Sequence, residues 1–139
     1  MLKTHKMAAA AALLCVAGPL AVPLMAQPQY AGGNRPVTLR AMDDLDPCSV
    51  GKVADQWSEG AVMVFPGDST DLDAVDHLPG GTKVWLCDSN EAGDMVGIVY
   101  SLEPGTDCGV STPVSADRDY LGPCSWGWVK SQWIEVEAG

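Results

Sequence analysis

Pro79-Gly80-Gly81-Thr82-Lys83-Val84-Trp85-Leu86-Cys87 decides the fold class. Its first residues carry turn chemistry, because proline presets one backbone angle and glycine accepts positive φ. The residues after Thr82 alternate: Val84 and Leu86 share one side, Lys83, Trp85 and Cys87 the other. That is the period of a strand with two distinct faces. The same grammar recurs on either side of this stretch. β-prone runs at 48–54, 61–65, 95–101, 127–130 and 134–136 are separated by Pro66-Gly67-Asp68, by Asn90 to Gly93 and by Pro104-Gly105. Within them Val96, Ile98 and Tyr100 share a side, and Ile134 and Val136 oppose Glu135 and Glu137. No helical period of useful length follows residue 26, and no internal repeat is visible. Short strands at this spacing predict an all-β domain, a sandwich or small barrel of five to six strands.

The chain begins differently. Lys3 and Lys6 precede the apolar run 8–17, and Gly18, Pro19 and Pro23 interrupt it before Leu24-Met25-Ala26. This order predicts a secretory signal peptide over residues 1–26, cleaved after Ala26. The uninterrupted apolar run is shorter than the ~20 residues a membrane span needs, so a retained anchor is not expected. Cys15 follows Leu14, where lipoprotein processing wants a small residue, so lipidation is not expected either. Cleavage removes two of eight basic residues and none of the eighteen acidic ones, taking the formal charge from −10 to −12. Such a field repels nucleic acid and anionic lipid, and neither is expected as a partner. The acidic residues are scattered rather than blocked, which reads as a solvated surface.

Removing 26 of the 139 residues leaves 113, enough for one domain of modest burial. Four cysteines remain, Cys48, Cys87, Cys108 and Cys124, an even set for an oxidising, periplasmic or secreted location. Four cysteines allow three pairings. Cys108 with Cys124 is favoured, because they bracket a segment rich in Ser, Thr, Pro and Gly whose closure is worth about 3 kcal/mol. Cys48 is then left for Cys87. A metal site is not expected, since no closely spaced ligand pair such as C-x-x-C occurs. Gln27 to Arg40 lacks periodicity and is rich in Gly, Pro, Gln and Asn. Residues 27–44 are therefore expected as an exposed flexible segment, and 45–139 as the folded domain.

Leu78-Pro79-Gly80-Gly81-Thr82-Lys83-Val84, followed later by Gly127-Trp128-Val129-Lys130-Ser131, resembles the bacterial SH3-like (SH3b) family. There a strand start of this form recurs with a terminal Gly-Trp-Val strand, a short turn and a closing strand. Ser131-Gln132-Trp133 would be that turn, and 134–136 that strand. A narrower pattern comprises Cys87-Asp88, Gly97-Ile98-Val99-Tyr100, Cys108-Gly109-Val110-Ser111, Gly122-Pro123-Cys124 and the terminal Ala138-Gly139. It is similar to small exported SH3b proteins of Gram-negative bacteria. The resemblance covers about Cys48 to Gly139 and implies a small SH3-like barrel with a disulfide-closed loop insertion. One departure stands out. Val62-Met63-Val64-Phe65-Pro66-Gly67-Asp68-Ser69-Thr70 replaces the family's Asn-Val-Arg strand and Ser-Gly-Pro loop, so a ligand role for that loop does not carry over.

Residues that could carry chemistry are few. His77 is the single histidine after cleavage, and with the cysteines committed to disulfides it lacks an evident nucleophile. Asp68, Asp71, Asp73 and Asp76 crowd one loop, but their spacing does not fit a D-x-[DN]-x-[DN]-G calcium loop. No catalytic residue, metal or cofactor is expected. Aromatic residues are the better lead. Trp126 and Trp128 alternate onto one side of their strand, Trp133 lies just beyond, and Tyr100 and Tyr120 could join them as a platform for peptides or sugars. With only one Phe in the chain, the same rings are also needed for the core. Two functions follow as expectations. The first is an exported, non-catalytic binding module for peptidoglycan or a protein peptide. The second is an envelope protein-interaction or inhibitor protein with a disulfide-braced acidic surface.

Overall fold

Met95–Tyr100 is the strand around which the chain is arranged, and it is covered on both faces. The computed structural model describes residues 33–57 and 60–138, so the expected signal peptide lies outside the described residues. In chain order the strands are β1 (Thr38–Leu39), β2 (Ser49–Val53), β3 (Ala61–Val64), β4 (Asp76–Pro79) and β5 (Lys83–Ser89). They continue with β6 (Met95–Tyr100), β7 (Arg118–Asp119), β8 (Ser125–Lys130) and β9 (Ile134–Ala138). Short 3-10 turns sit at Asp55–Trp57 and Ser131–Trp133. The domain is thus mostly β, as the alternation predicts, and its principal sheet is antiparallel in the order β8-β6-β5-β2-β9. The sheet is open, with β8 and β9 at its edges.

Two smaller pieces cover the sheet. The β3–β4 hairpin lies over one face, where Val62, Val64, Phe65 and Leu78 are buried with Ile98 and Val84. Phe65 reaches the outer edge of β8, exchanging backbone N–H···O bonds of 2.8 Å with Trp128 in both directions. Gly127 stands opposite Ile98 in the register, and here glycine is required. A Cβ at this position would collide with Val64 Cγ1 and lie 2.9 Å from the Phe65 carbonyl. Gly127→Ala should therefore lower stability by about 1–3 kcal/mol through overpacking, measurable by urea denaturation. A loss indistinguishable from zero would mean that the hairpin does not press on β8 as described.

The other face is covered by the residues expected to be a flexible lead-in. Successive strand residues point to opposite faces, and at Gly97, the neighbour of Ile98, a Cβ would lie 3.0 Å from Val37 Cγ2. Val37 and Leu39 are fully buried, β1 pairs with β7, and the Tyr120 amide donates to the Val37 carbonyl at 2.8 Å. Residues 35–40 are thus part of the fold, which corrects the expected boundary at Leu45. The Asp88 carboxylate, 2% exposed, fixes them further. It accepts from the Thr38 amide at 3.1 Å and lies 3.6 Å from Arg35 Nη2 and 3.3 Å from Arg40 Nη2. A buried carboxylate held by an amide and two guanidinium groups has its charge compensated, whereas the segment alone shows only the short Val37-x-Leu39 alternation.

Both disulfides form as favoured. Cys48–Cys87 joins the start of β2 to β5, and Cys108–Cys124 closes the insertion between β6 and β8. Inside that insertion the Tyr120 hydroxyl donates to the Cys108 carbonyl at 2.7 Å and accepts from the Cys124 amide at 3.0 Å. One side chain thereby ties together both ends of the closed loop. The two bonds fit an oxidising, extracytoplasmic compartment. Val136, expected on the buried face, is 69% exposed: β9 is an edge strand, and its residues after Ile134 are all exposed.

Candidate functional site

Three connections converge into a cleft of about 560 Å³. Asp68 and Thr70 come from the β3–β4 connection, Asp94 from the β5–β6 turn with Met95 at the start of β6, and Lys130 and Gln132 from the end of β8 and its 3-10 turn. Each wall is held by its own bonds. The Ser131 amide donates to the Asp94 carbonyl at 2.9 Å, and Ser131 Oγ donates to the Gly93 carbonyl at 2.9 Å, locking the β5–β6 turn to the 3-10 turn. Asn90 Nδ2 donates to Asp94 Oδ1 at 2.6 Å, while Asn90 Oδ1 accepts from the Met95 amide at 3.1 Å. Arg35 Nη1 pairs with Asp68 Oδ2 at 2.6 Å. Arg35 also lies over the Trp128 ring at 4.4 Å, so the N-terminal segment holds the lining residue Asp68 from outside the cleft.

The charges are of both signs. Asp68 and Asp94 are engaged by Arg35 and Asn90, whereas the Lys130 ammonium rests 5.3 Å from the Trp133 ring centroid and forms no ion pair among the described residues. A cation on an aromatic face is stabilised without being neutralised. The cleft therefore offers one ammonium for an anionic group, carboxylate oxygens for a cationic one, and hydroxyl and amide groups between them.

The five aromatic candidates do not form an exposed platform. Trp128 is fully buried, with Nε1 donating to the Arg35 carbonyl at 2.7 Å. Tyr120 is buried in the insertion, and Tyr100 is buried with its hydroxyl donating to Asp76 Oδ2 at 2.8 Å. Trp133 is 9% exposed, and its ring carries the Lys130 ammonium. Trp126 is half-buried in a cross-strand row with Val99 and Trp85. A core with a single Phe takes its large apolar volume from these rings instead. His77 is exposed on β4 opposite Met63. The loop aspartates do not converge, since Asp68 turns to Arg35 and Asp76 to Tyr100. Sequence reasoning missed Thr70, Asp94, Lys130 and Gln132, because polar residues in separate loops carry no pattern until the fold joins them.

Burial, followed by the hydrogen bond to Asp76, pushes the Tyr100 hydroxyl far above its ordinary value of 10.0; burial also raises Tyr120. Protonation of both is thus favoured in the folded state. Their contribution is fully present below pH 10 and is lost as the pH rises above it, by at most about 1.4 kcal/mol per pH unit per tyrosine. Alkaline unfolding should begin above pH 10, and Tyr100→Phe should shallow its pH dependence in a denaturation series. An unchanged slope would contradict this linkage.

The fold and cleft define a mostly β, two-disulfide domain with a mixed-charge depression at one loop cluster. No family model, curated protein or solved structure matches the chain.

Proposed function

We propose that the chain is a non-catalytic binding module of the SH3-like (SH3b) kind, exported to the periplasm after loss of residues 1–26. Its three-loop cleft takes a short peptide bearing both amine and carboxylate groups, as the peptide stems of peptidoglycan do. The observation that carries this reading is that the Lys130 ammonium, which forms no ion pair among the described residues, lines the same cleft as Asp68 and Asp94. The SH3-like part is supported by the sequence at 78–84 and 127–131. The 3-10 turn between β8 and β9 and the return of β9 to pair with β2 add support. A rigid cleft loses little conformational freedom on binding, so a modest contact area can yield useful affinity.

Cosedimentation of the disulfide-bonded protein with purified peptidoglycan tests the proposal. Wild type should sediment, and Lys130→Gln should weaken retention at least fivefold, about 1 kcal/mol, the order of one charge-assisted hydrogen bond. Near-ultraviolet circular dichroism of the variant should stay unchanged. No retention of folded wild type would overturn the ligand, and full retention of Lys130→Gln would overturn the site.

A further inference from the structure

The surface around Cys48 has a different character. Residues 42–45 form a tight turn closed by the Leu45 amide donating to the Met42 carbonyl at 3.0 Å, with Asp43 at φ 52°. Aspartate is among the few non-glycine residues that accept this left-handed conformation. The turn is anchored at both ends. On one side the Ala41 amide donates to Asp117 Oδ1 at 2.8 Å, and on the other Pro47 is buried and Cys48 is bonded to Cys87.

What this anchored turn displays is unusual for a soluble surface. Met42 is 42% exposed and Leu45 67% exposed, and they flank an open groove of about 530 Å³ continued by Cys48, Val50 and Ala138. Ala138 lies on β9, whose inner edge pairs with β2 and whose outer edge has no strand partner among the described residues. Large apolar side chains held out on a braced turn beside an open strand edge have the form of a docking surface. The rim is acidic. Asp43, Asp44 and Asp46 form no ion pair among the described residues, and nearby Arg40 is turned away to Asp88 and Asp117.

From these features we infer that the 42–46 turn and the adjoining end of β9 dock an extended segment of a partner protein, in which large apolar side chains alternate with Lys or Arg. The apolar side chains would pack on Met42, Leu45 and Val50, the basic ones would meet Asp43, Asp44 and Asp46, and the segment's backbone would run along the open edge of β9. Charge selects this occupant over a second copy of the chain. Two chains of formal charge −10 repel, and the groove would bring like-charged rims together. The braced turn needs no ordering on binding, which lowers the entropic cost. This site is separate from the Lys130 cleft and does not depend on the reading of that cleft.

The test uses the full exported chain with its disulfides intact and a synthetic peptide of alternating lysine and leucine. A second peptide alternates lysine and serine. Amide shifts in a 15N-labelled sample should concentrate at 42–50 and 134–138 on adding the lysine–leucine peptide. Met42→Ser/Leu45→Ser should weaken its binding at least about tenfold, the loss expected when central apolar anchors are removed. Both side chains are exposed, so this variant should fold as wild type does. Asp71→Asn/Asp73→Asn removes two negative charges from the β3–β4 connection instead, and should weaken binding less than twofold. Equal affinity for the two peptides, or an equal loss in the Asp71/Asp73 variant, would reduce the effect to overall charge and overturn the proposal. Shifts confined to 68–70 and 130–132 would overturn the location. A dimer in sedimentation that Leu45→Ser dissolves would overturn the choice of occupant in favour of a second copy.

Discussion

Trp128→Ala should lower folding stability by about 3–5 kcal/mol, the range for truncating a large buried aromatic. Trp128 is fully buried, and two separate parts of the chain rely on it. Its ring lies beneath Arg35, its Nε1 donates to the Arg35 carbonyl, and its backbone exchanges two bonds with Phe65. Truncation leaves a cavity where the N-terminal segment packs and frees the guanidinium that holds Asp68. For a domain whose net stability lies within roughly 5–15 kcal/mol, such a loss is at least about a fifth of the total and can reach all of it. Urea denaturation measures it. Hydrogen exchange locates it, because the Thr38 and Tyr120 amides, bonded to Asp88 and to Val37, should lose protection first. Trp128→Phe keeps most of the apolar volume and removes the Nε1 donor, so its loss should be about 1–3 kcal/mol. A loss under about 1 kcal/mol for the alanine variant would mean that the N-terminal segment is not packed on this ring.

The second large effect concerns the disulfides. Cys108 and Cys124 are separated by 16 residues, and opening that loop should cost about 3 kcal/mol in the chain-entropy treatment. Cys48 and Cys87 are separated by 39, for which the same relation gives about 4 kcal/mol. The two losses should look different. Cys108→Ser/Cys124→Ser releases an insertion whose internal ties are Tyr120 and short polar turns, so limited proteolysis should cut within 101–124 while the five-stranded sheet persists. Cys48→Ser/Cys87→Ser acts on paired strands of that sheet and should lower the midpoint of the whole transition. Identical proteolytic patterns for the two variants would show that the insertion is not an independent cover.

How much of this was legible in the sequence depended on whether one face or two were buried. At 83–87 alternation marked the strand correctly, and the flanking Pro-Gly-Gly marked its turn. In β6 the residues Met95, Ile98, Val99 and Tyr100 are all buried, so the expected one-sided alternation of Val96, Ile98 and Tyr100 was incomplete. The second cover, residues 35–40, contributes only two short apolar positions, and their burial comes from partners fifty or more residues away in sequence. A β-bulge between Leu86 and Asp88 also breaks the strict period that placed Cys87 opposite Leu86. The cleft was illegible for a related reason: Asp68, Asp94 and Lys130 are ordinary surface residues until three loops meet.

The alternation around Val84, the turn residues and the even cysteine set were enough to determine a mostly β domain with two disulfides. Periodicity and chain closure are local or nearly local properties, and a single sequence records them. Tertiary structure alone decided that β6 is buried on both faces, that Trp128 and Trp133 are buried while Trp85 and Trp126 pack against the core, and that the candidate cleft is polar. Those outcomes depend on which distant segments cover which face, and burial is a property of the neighbours as much as of the residue.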